Sequence, residues 1–254
     1  IPEDATTMPS GMPMQIPIYY RALWGTPFQI IPDAAFVNGP DAVQFDTRQF
    51  ISEQAGWLSR YNAWAFQGTR TAAEIINYVA INYSISPKLL IALLEYQGGA
   101  CSRATLELDE EENILGLTSD YWKGVYLQLS YAANILNDGY YRWREGDLLE
   151  FELEDGSLVR PDPWQNAATV ALQYFFSQVL NLTEYHIAVG PDGFGKIYQQ
   201  YFGDPWTIEA HIPGSLKQPE MQLPYDLEKD GWAYTGGPHT ACGSMAHWAA
   251  LDFA

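Results

Sequence analysis

Residues 85–99 read ISPKLLIALLEYQGG, and they decide the fold class. Ser86 is a preferred N-cap, Pro87 suits a first helical position that has no use for its missing N–H, and Gly98-Gly99 supplies a stop. The spacing therefore predicts one helix with a defined start and end. Its apolar run, LLIALLEYQ, is much shorter than the roughly 20 residues of a membrane-spanning helix and carries Glu95.

Similar punctuation recurs outward from this helix. FDTRQFISEQAGWLSRYNAW (45–64) starts at Asp46 with Gln49 three residues on, and TAAEIINYVAINY (71–83) repeats the logic with Thr71 and Glu74; both are capping-box spacings. Further helices are predicted over 119–139, ending near Gly139, over 162–180, opened by Asp162-Pro163, and over 192–203. LLEFELEDGSLVRP (148–161) alternates around Asp155-Gly156, the dipeptide of a tight hairpin turn. ELDEEEN (107–113) is most simply a solvated loop. Residues 1–40 are Pro-rich and read as an extended arm, 41–205 as a helical domain, 206–230 as a Pro-rich linker, and 231–254 as the start of a β domain. The chain is thus expected to be mainly α with one β-hairpin, followed by that linker and the first strands of a further domain.

A 254-residue chain with 47% hydrophobic residues can bury a full core. Its net charge of −18 opposes binding to phosphate backbones, so nucleic acid is not an expected partner, whereas cationic partners or metal ions suit it. The opening, IPEDATTMPSGMPMQIPIYY, shows no secretory leader and starts with Ile, which points to processing or to a partial chain. Cys101 and Cys242 leave two readings, one disulfide tying the middle of the chain to its end or two unpaired thiols. Asn82-Tyr83-Ser84 and Asn181-Leu182-Thr183 are sequons for glycosylation.

ISPKLLIALLEYQGG resembles the first catalytic-helix motif of the lysozyme-like lytic transglycosylases, in which a Pro and an apolar helix lead into Glu-Ser-Gly. ILGL (114–117) and YAANILNDGYY (131–141) extend that resemblance over about residues 70–205. It implies a lysozyme-like domain that protonates a glycosidic oxygen with a raised-pKa Glu. Here Gln97 stands at the Glu position, and an amide cannot serve as general acid. Glu95 is two residues earlier, about 200° around the helix, and does not replace it. The expected remainder is glycan binding, with Trp122, Tyr126 and Tyr140 either lining a groove or filling the helical core.

GWAYTGGPHTACGSMAHWAALDFA (231–254) resembles the first metal-ligand motif of the lysostaphin-type and β-lytic-type zinc endopeptidases, exported bacterial enzymes that cut peptide cross-bridges. The resemblance implies zinc bound by His239 and Asp252, thirteen residues apart, and a fold in which two adjacent strands present them. A catalytic zinc needs three protein ligands and an open water position, and the family's His-x-His motif occurs nowhere in this chain. His247 reads as a loop residue, while His186 and His211 fall outside the segment. The chain is accordingly expected to hold zinc poorly and to be inactive, as part of a longer protein, a cut precursor or a decayed scaffold. The resemblance places it outside the cytoplasm, at the cell envelope, with peptidoglycan or another envelope glycan as partner. The alternative is a structural subunit, with other chains covering the strand edges of residues 231–254.

Overall fold

The computed structural model describes residues 23–118 and 120–208, together with two strands at 234–239 and 250–253. It divides into two compact units, Ile1–Asp33 with Asn134–Lys196, and Ala34–Ala133 with Ile197–Ala254. Among the described residues no helix is long and apolar enough to cross a membrane.

The elements of the first part of the chain are β1 (Leu23–Trp24), α1 (Asp33–Phe36), α2 (Pro40–Val43), α3 (Thr47–Ser52), a 3-10 turn (Trp57–Arg60), the hairpin β2 (Asn62–Ala65) and β3 (Gly68–Thr71), α4 (Ala72–Tyr83), α5 (Pro87–Gly98) and α6 (Leu108–Glu112). The helix predicted from residues 85–99 is α5. Leu89 through Leu94 are fully buried in it, and each leucine or isoleucine among them contributes about 1.5–3 kcal/mol of transfer free energy. Pro87 occupies the first turn, and Gly99 ends the helix at φ +58°, its N–H bonding the Glu95 carbonyl. Ser86 stands at the N-cap but makes no side-chain cap bond; it is buried, and its backbone N–H goes to Phe36 O at 2.8 Å. Against α5 packs α4, which buries Ile75, Ile76 and Val79. The predicted Thr71–Glu74 capping box is complete, with Glu74 N donating to Thr71 Oγ1 at 3.3 Å and Thr71 N to Glu74 Oε2 at 2.8 Å.

Residues 45–64 do not form one helix. Asp46 caps α3 as predicted, accepting from Gln49 N at 2.9 Å, but α3 stops after six residues. At Gly56 a Cβ would fall onto the Ala100 carbonyl and the Cys101 backbone. Beyond it, Trp57 N donates to Arg103 O and Leu58 N to Ala100 O. Tertiary acceptors take the donors that a continued helix would use. The following hairpin, β2–β3, has no turn signal in sequence, because Phe66 and Gln67 hold φ of 34° and 67° where Asn or Gly is usual. ELDEEEN is not all loop either, since α6 occupies its centre.

The later elements are α7 (Val125–Glu145), β4 (Phe151–Glu152), β5 (Leu158–Arg160), α8 (Ala167–Ser177), α9 (Leu182–Ala188), α10 (Phe194–Phe202), a 3-10 turn (Pro205–Thr207), β6 (Tyr234–His239) and β7 (Ala250–Phe253). The Asp155-Gly156 hairpin forms as predicted, with Gly156 at φ +80° and β4 antiparallel to β5, and β1 adds to β5 in parallel. Gly139 does not stop α7; a side chain there would crowd Tyr174 and the Ala171 Cα at 3.1 Å, so this glycine serves close helix approach. Asp162 does not open α8. It accepts from Trp164 N in a turn, and α8 starts five residues later, with Asp33 accepting from Ala168 N at 2.8 Å. The cap comes from 135 positions away in sequence, out of reach of any local pattern. The arm expected over residues 1–40 is not simply extended: its described part contains β1, α1 and the start of α2, and residues 26–30 are fastened to α8 and to Gln165 just before it. Gln165 Nε2 donates to Thr26 O and Phe28 O, and Ile30 N to Thr169 Oγ1.

Removing the Thr71 cap should cost about 1 kcal/mol, so urea denaturation of Thr71→Ala should show a lower midpoint with an unchanged slope. Gly56→Ala should cost roughly 1–3 kcal/mol, because the atoms it meets belong to the backbone.

Candidate functional site

The C-terminal end of α5 is where a glycosidase-like acid would sit. The Glu95 side chain there is buried and fully hydrogen-bonded. It is 9% exposed; its Oε2 accepts from Cys101 N at 2.7 Å and Ser102 N at 3.2 Å, and its Oε1 accepts from the Tyr201 hydroxyl at 3.0 Å. Both oxygens are thus engaged in fastening the loop after α5 and the α10 tyrosine. Gln97 takes a separate direction, donating from Nε2 to Leu115 O at 3.1 Å, while Gln128 accepts from Leu115 N. Glu95 and Gln97 therefore serve different strips of backbone. The buried Cys101 thiol is pushed up to about 12, first by desolvation and then by the Glu95 charge. Tyr201 is pushed up to about 12 as well, by burial and its bond to Glu95. Cys242 lies outside the described residues, as do His211 and His247.

The aromatic candidates separate. Trp122 is half-buried and stacks on Tyr131 at 5.1 Å and 17°, with its carbonyl accepting from Gln128 Nε2. Tyr126 meets Phe66 edge-on at 5.2 Å and Tyr78 at 5.8 Å. Tyr140 belongs to the other unit and is core, 5% exposed, so it does not share a groove with Tyr126 within one unit. Between the β2–β3 hairpin and the start of α7 lies a cavity of about 410 Å³, lined by Tyr61, Trp64, Phe66, Glu111, Lys123 and Tyr126. Apart from Tyr126, none of these residues was picked out by sequence, since the hairpin that gathers them carries no turn signal.

The two sequons sit on helices. Asn181 caps α9, its Oδ1 accepting from Thr183 N and Glu184 N. Asn82, on the last turn of α4, is exposed and donates to Tyr78 O.

The strand segment places the two predicted metal ligands on neighbouring strands. β6 and β7 pair antiparallel with His239 opposite Ala250 and Gly236 opposite Asp252, the register shifting between the two pairs. His239 and Asp252 thus occupy diagonal register positions. An imidazole and a carboxylate are the right donor types for zinc, but they are two where a catalytic site uses three. Among the described residues no group of three or more His, Cys, Asp and Glu side chains is gathered. The residues present fit only part of a zinc site.

The structure defines the class: a mainly helical protein with two hairpins in its helical region and a paired-strand segment after it. The chain belongs to the family described as LasA, N-terminal domain, whose model matches residues 29–216. That family ties it to secreted, peptidase-related bacterial proteins of the cell envelope. The stretch that resembles lytic transglycosylases, about residues 70–205, falls wholly inside this match, and β6 begins after it. No curated protein and no solved structure matches the chain.

Glu95→Gln should destabilise the fold by about 1–3 kcal/mol, the scale for a disrupted buried charge-assisted network, with denaturant titration as the measurement. Cys101 and Tyr201 hold their protons to about 12 when folded, against ordinary values of 9.0 and 10.0. Between those limits the unfolded chain binds fewer protons, so stability should be intact below about pH 9 and fall as the pH rises towards 12. Thermal midpoints measured across that range check the sign.

Proposed function

We propose that this chain is the non-hydrolytic N-terminal part of an exported LasA-like zinc endopeptidase that acts at the cell envelope. The helical domain does not cut glycan, and residues 231–254 open the peptidase domain, with His239 and Asp252 as the first two zinc ligands. One observation carries the reading: these residues lie on adjacent antiparallel strands directly downstream of the LasA family match. The engagement of both Glu95 oxygens by protein donors supports the inert half of the proposal. So does the Gln at position 97, where a proton donor would be required. The lysozyme-like ancestry of the helical domain rests on the sequence motifs alone.

On this reading the chain by itself holds zinc weakly and cuts neither glycan nor peptide. Elemental analysis of the purified chain should show well under one zinc per molecule, and purified peptidoglycan should keep its turbidity on incubation. Turbidity loss that disappears in Glu95→Gln would overturn the inert-domain reading. Stoichiometric zinc that persists in both His239→Ala and Asp252→Ala would overturn the ligand assignment.

A further inference from the structure

We propose that the cavity between the β2–β3 hairpin and the start of α7 is a binding site for an uncharged pyranose ring of an envelope glycan. It rests on the reading of the chain as an envelope protein whose helical domain does not cut glycan, and it names where that domain would hold its polymer.

The first observation is Trp64. It lines the cavity and is 75% exposed, so a flat indole stands in water at the edge of a concave surface. The cavity's volume of about 410 Å³ falls within the roughly 300–1,000 Å³ of small-ligand sites. The C–H face of a pyranose can stack on such a ring while its hydroxyls reach the polar rim.

A second, independent observation is the way the hairpin is held. Phe66 and Gln67 both sit in the left-handed region, a conformation that costs a bulky side chain about 1–3 kcal/mol. The Phe66 ring offsets this by stacking on Tyr78 at 4.1 Å and 15°, meeting Tyr126 edge-on and lying under the Arg70 guanidinium at 5.3 Å. The turn is thereby pinned to α4 and α7. The hairpin presents Trp64 from a fixed frame, which limits the ordering cost of binding.

The polar groups select the occupant. The Tyr61 hydroxyl donates to Glu111 Oε1 at 2.6 Å, and Lys123 Nζ meets Glu112 Oε2 at 2.8 Å. The lining side chains thus bring one carboxylate and one ammonium, each already partnered. With Glu112 counted, these groups leave a single net negative charge, which opposes a polyanion. Both carboxylates are already engaged, Glu111 by Tyr61 and Glu112 by Lys123, so a neutral ligand is preferred to a cationic peptide. Sugar hydroxyls, which donate and accept, match a rim that offers both kinds of group.

The test uses the full chain and two uncharged probes, tri-N-acetylchitotriose and pentaglycine blocked as its N-acetyl amide, followed by ligand-observed NMR and calorimetry. The expected result is binding of the trisaccharide that weakens at least ~10-fold in Trp64→Ala, about the effect of one strong contact. Trp206→Ala, which removes another exposed indole outside the cavity, should bind as the parent does, and far-UV circular dichroism should show both variants folded. Trisaccharide binding unchanged in Trp64→Ala, no trisaccharide binding at all, or binding of pentaglycine alone would each overturn the proposal. None of these outcomes bears on the zinc and turbidity measurements, so the two readings fail separately.

Discussion

The carboxylate of Glu95 sets the local geometry of its unit. It leaves the last turn of the buried helix α5 and accepts from two backbone N–H groups of the next loop and from the Tyr201 hydroxyl of α10. A buried carboxylate is tolerated only when its oxygens are so engaged. With the loop fixed, the Ala100 and Arg103 carbonyls become acceptors for Leu58 and Trp57, and Gly56 packs against the same backbone with no room for a side chain. The 3-10 turn and the hairpin after it then follow from where that loop stands. The residue closest in sequence to a catalytic acid is thus committed to architecture.

This division of labour shapes the functional picture. Helix α5 of the helical domain ends in Gly-Gly, and the amide of Gln97 anchors the Leu115 carbonyl. The surface proposed to hold a ligand is elsewhere, in the cavity lined by Trp64, where aromatic faces and partnered polar groups meet. Membership in the LasA N-terminal domain family ties the domain to secreted, peptidase-related proteins. His239 and Asp252 lie on the paired strands that follow the family match.

Sequence by itself determined the features whose physics is local. The Thr71–Glu74 box, the Asp46 cap, Pro87 at the start of α5, the left-handed Gly99 and the Asp155-Gly156 turn each involve groups within a few residues of one another, so their energies are written in the spacing. The separation of Glu95 from Gln97 followed likewise from 3.6 residues per turn. Tertiary structure alone decided what depends on distant partners. Asp33 caps α8 across 135 positions, so Asp162 marked a turn instead of a helix start. Gly139 looked like a stop and proved a contact point, because its meaning lies in Ala171 and Tyr174. The helix expected through Trp64 became a hairpin, since Phe66 accepts a left-handed backbone only when Tyr78, Tyr126 and Arg70 surround its ring. The candidate binding site exists because of that last packing, and no local pattern could have announced it.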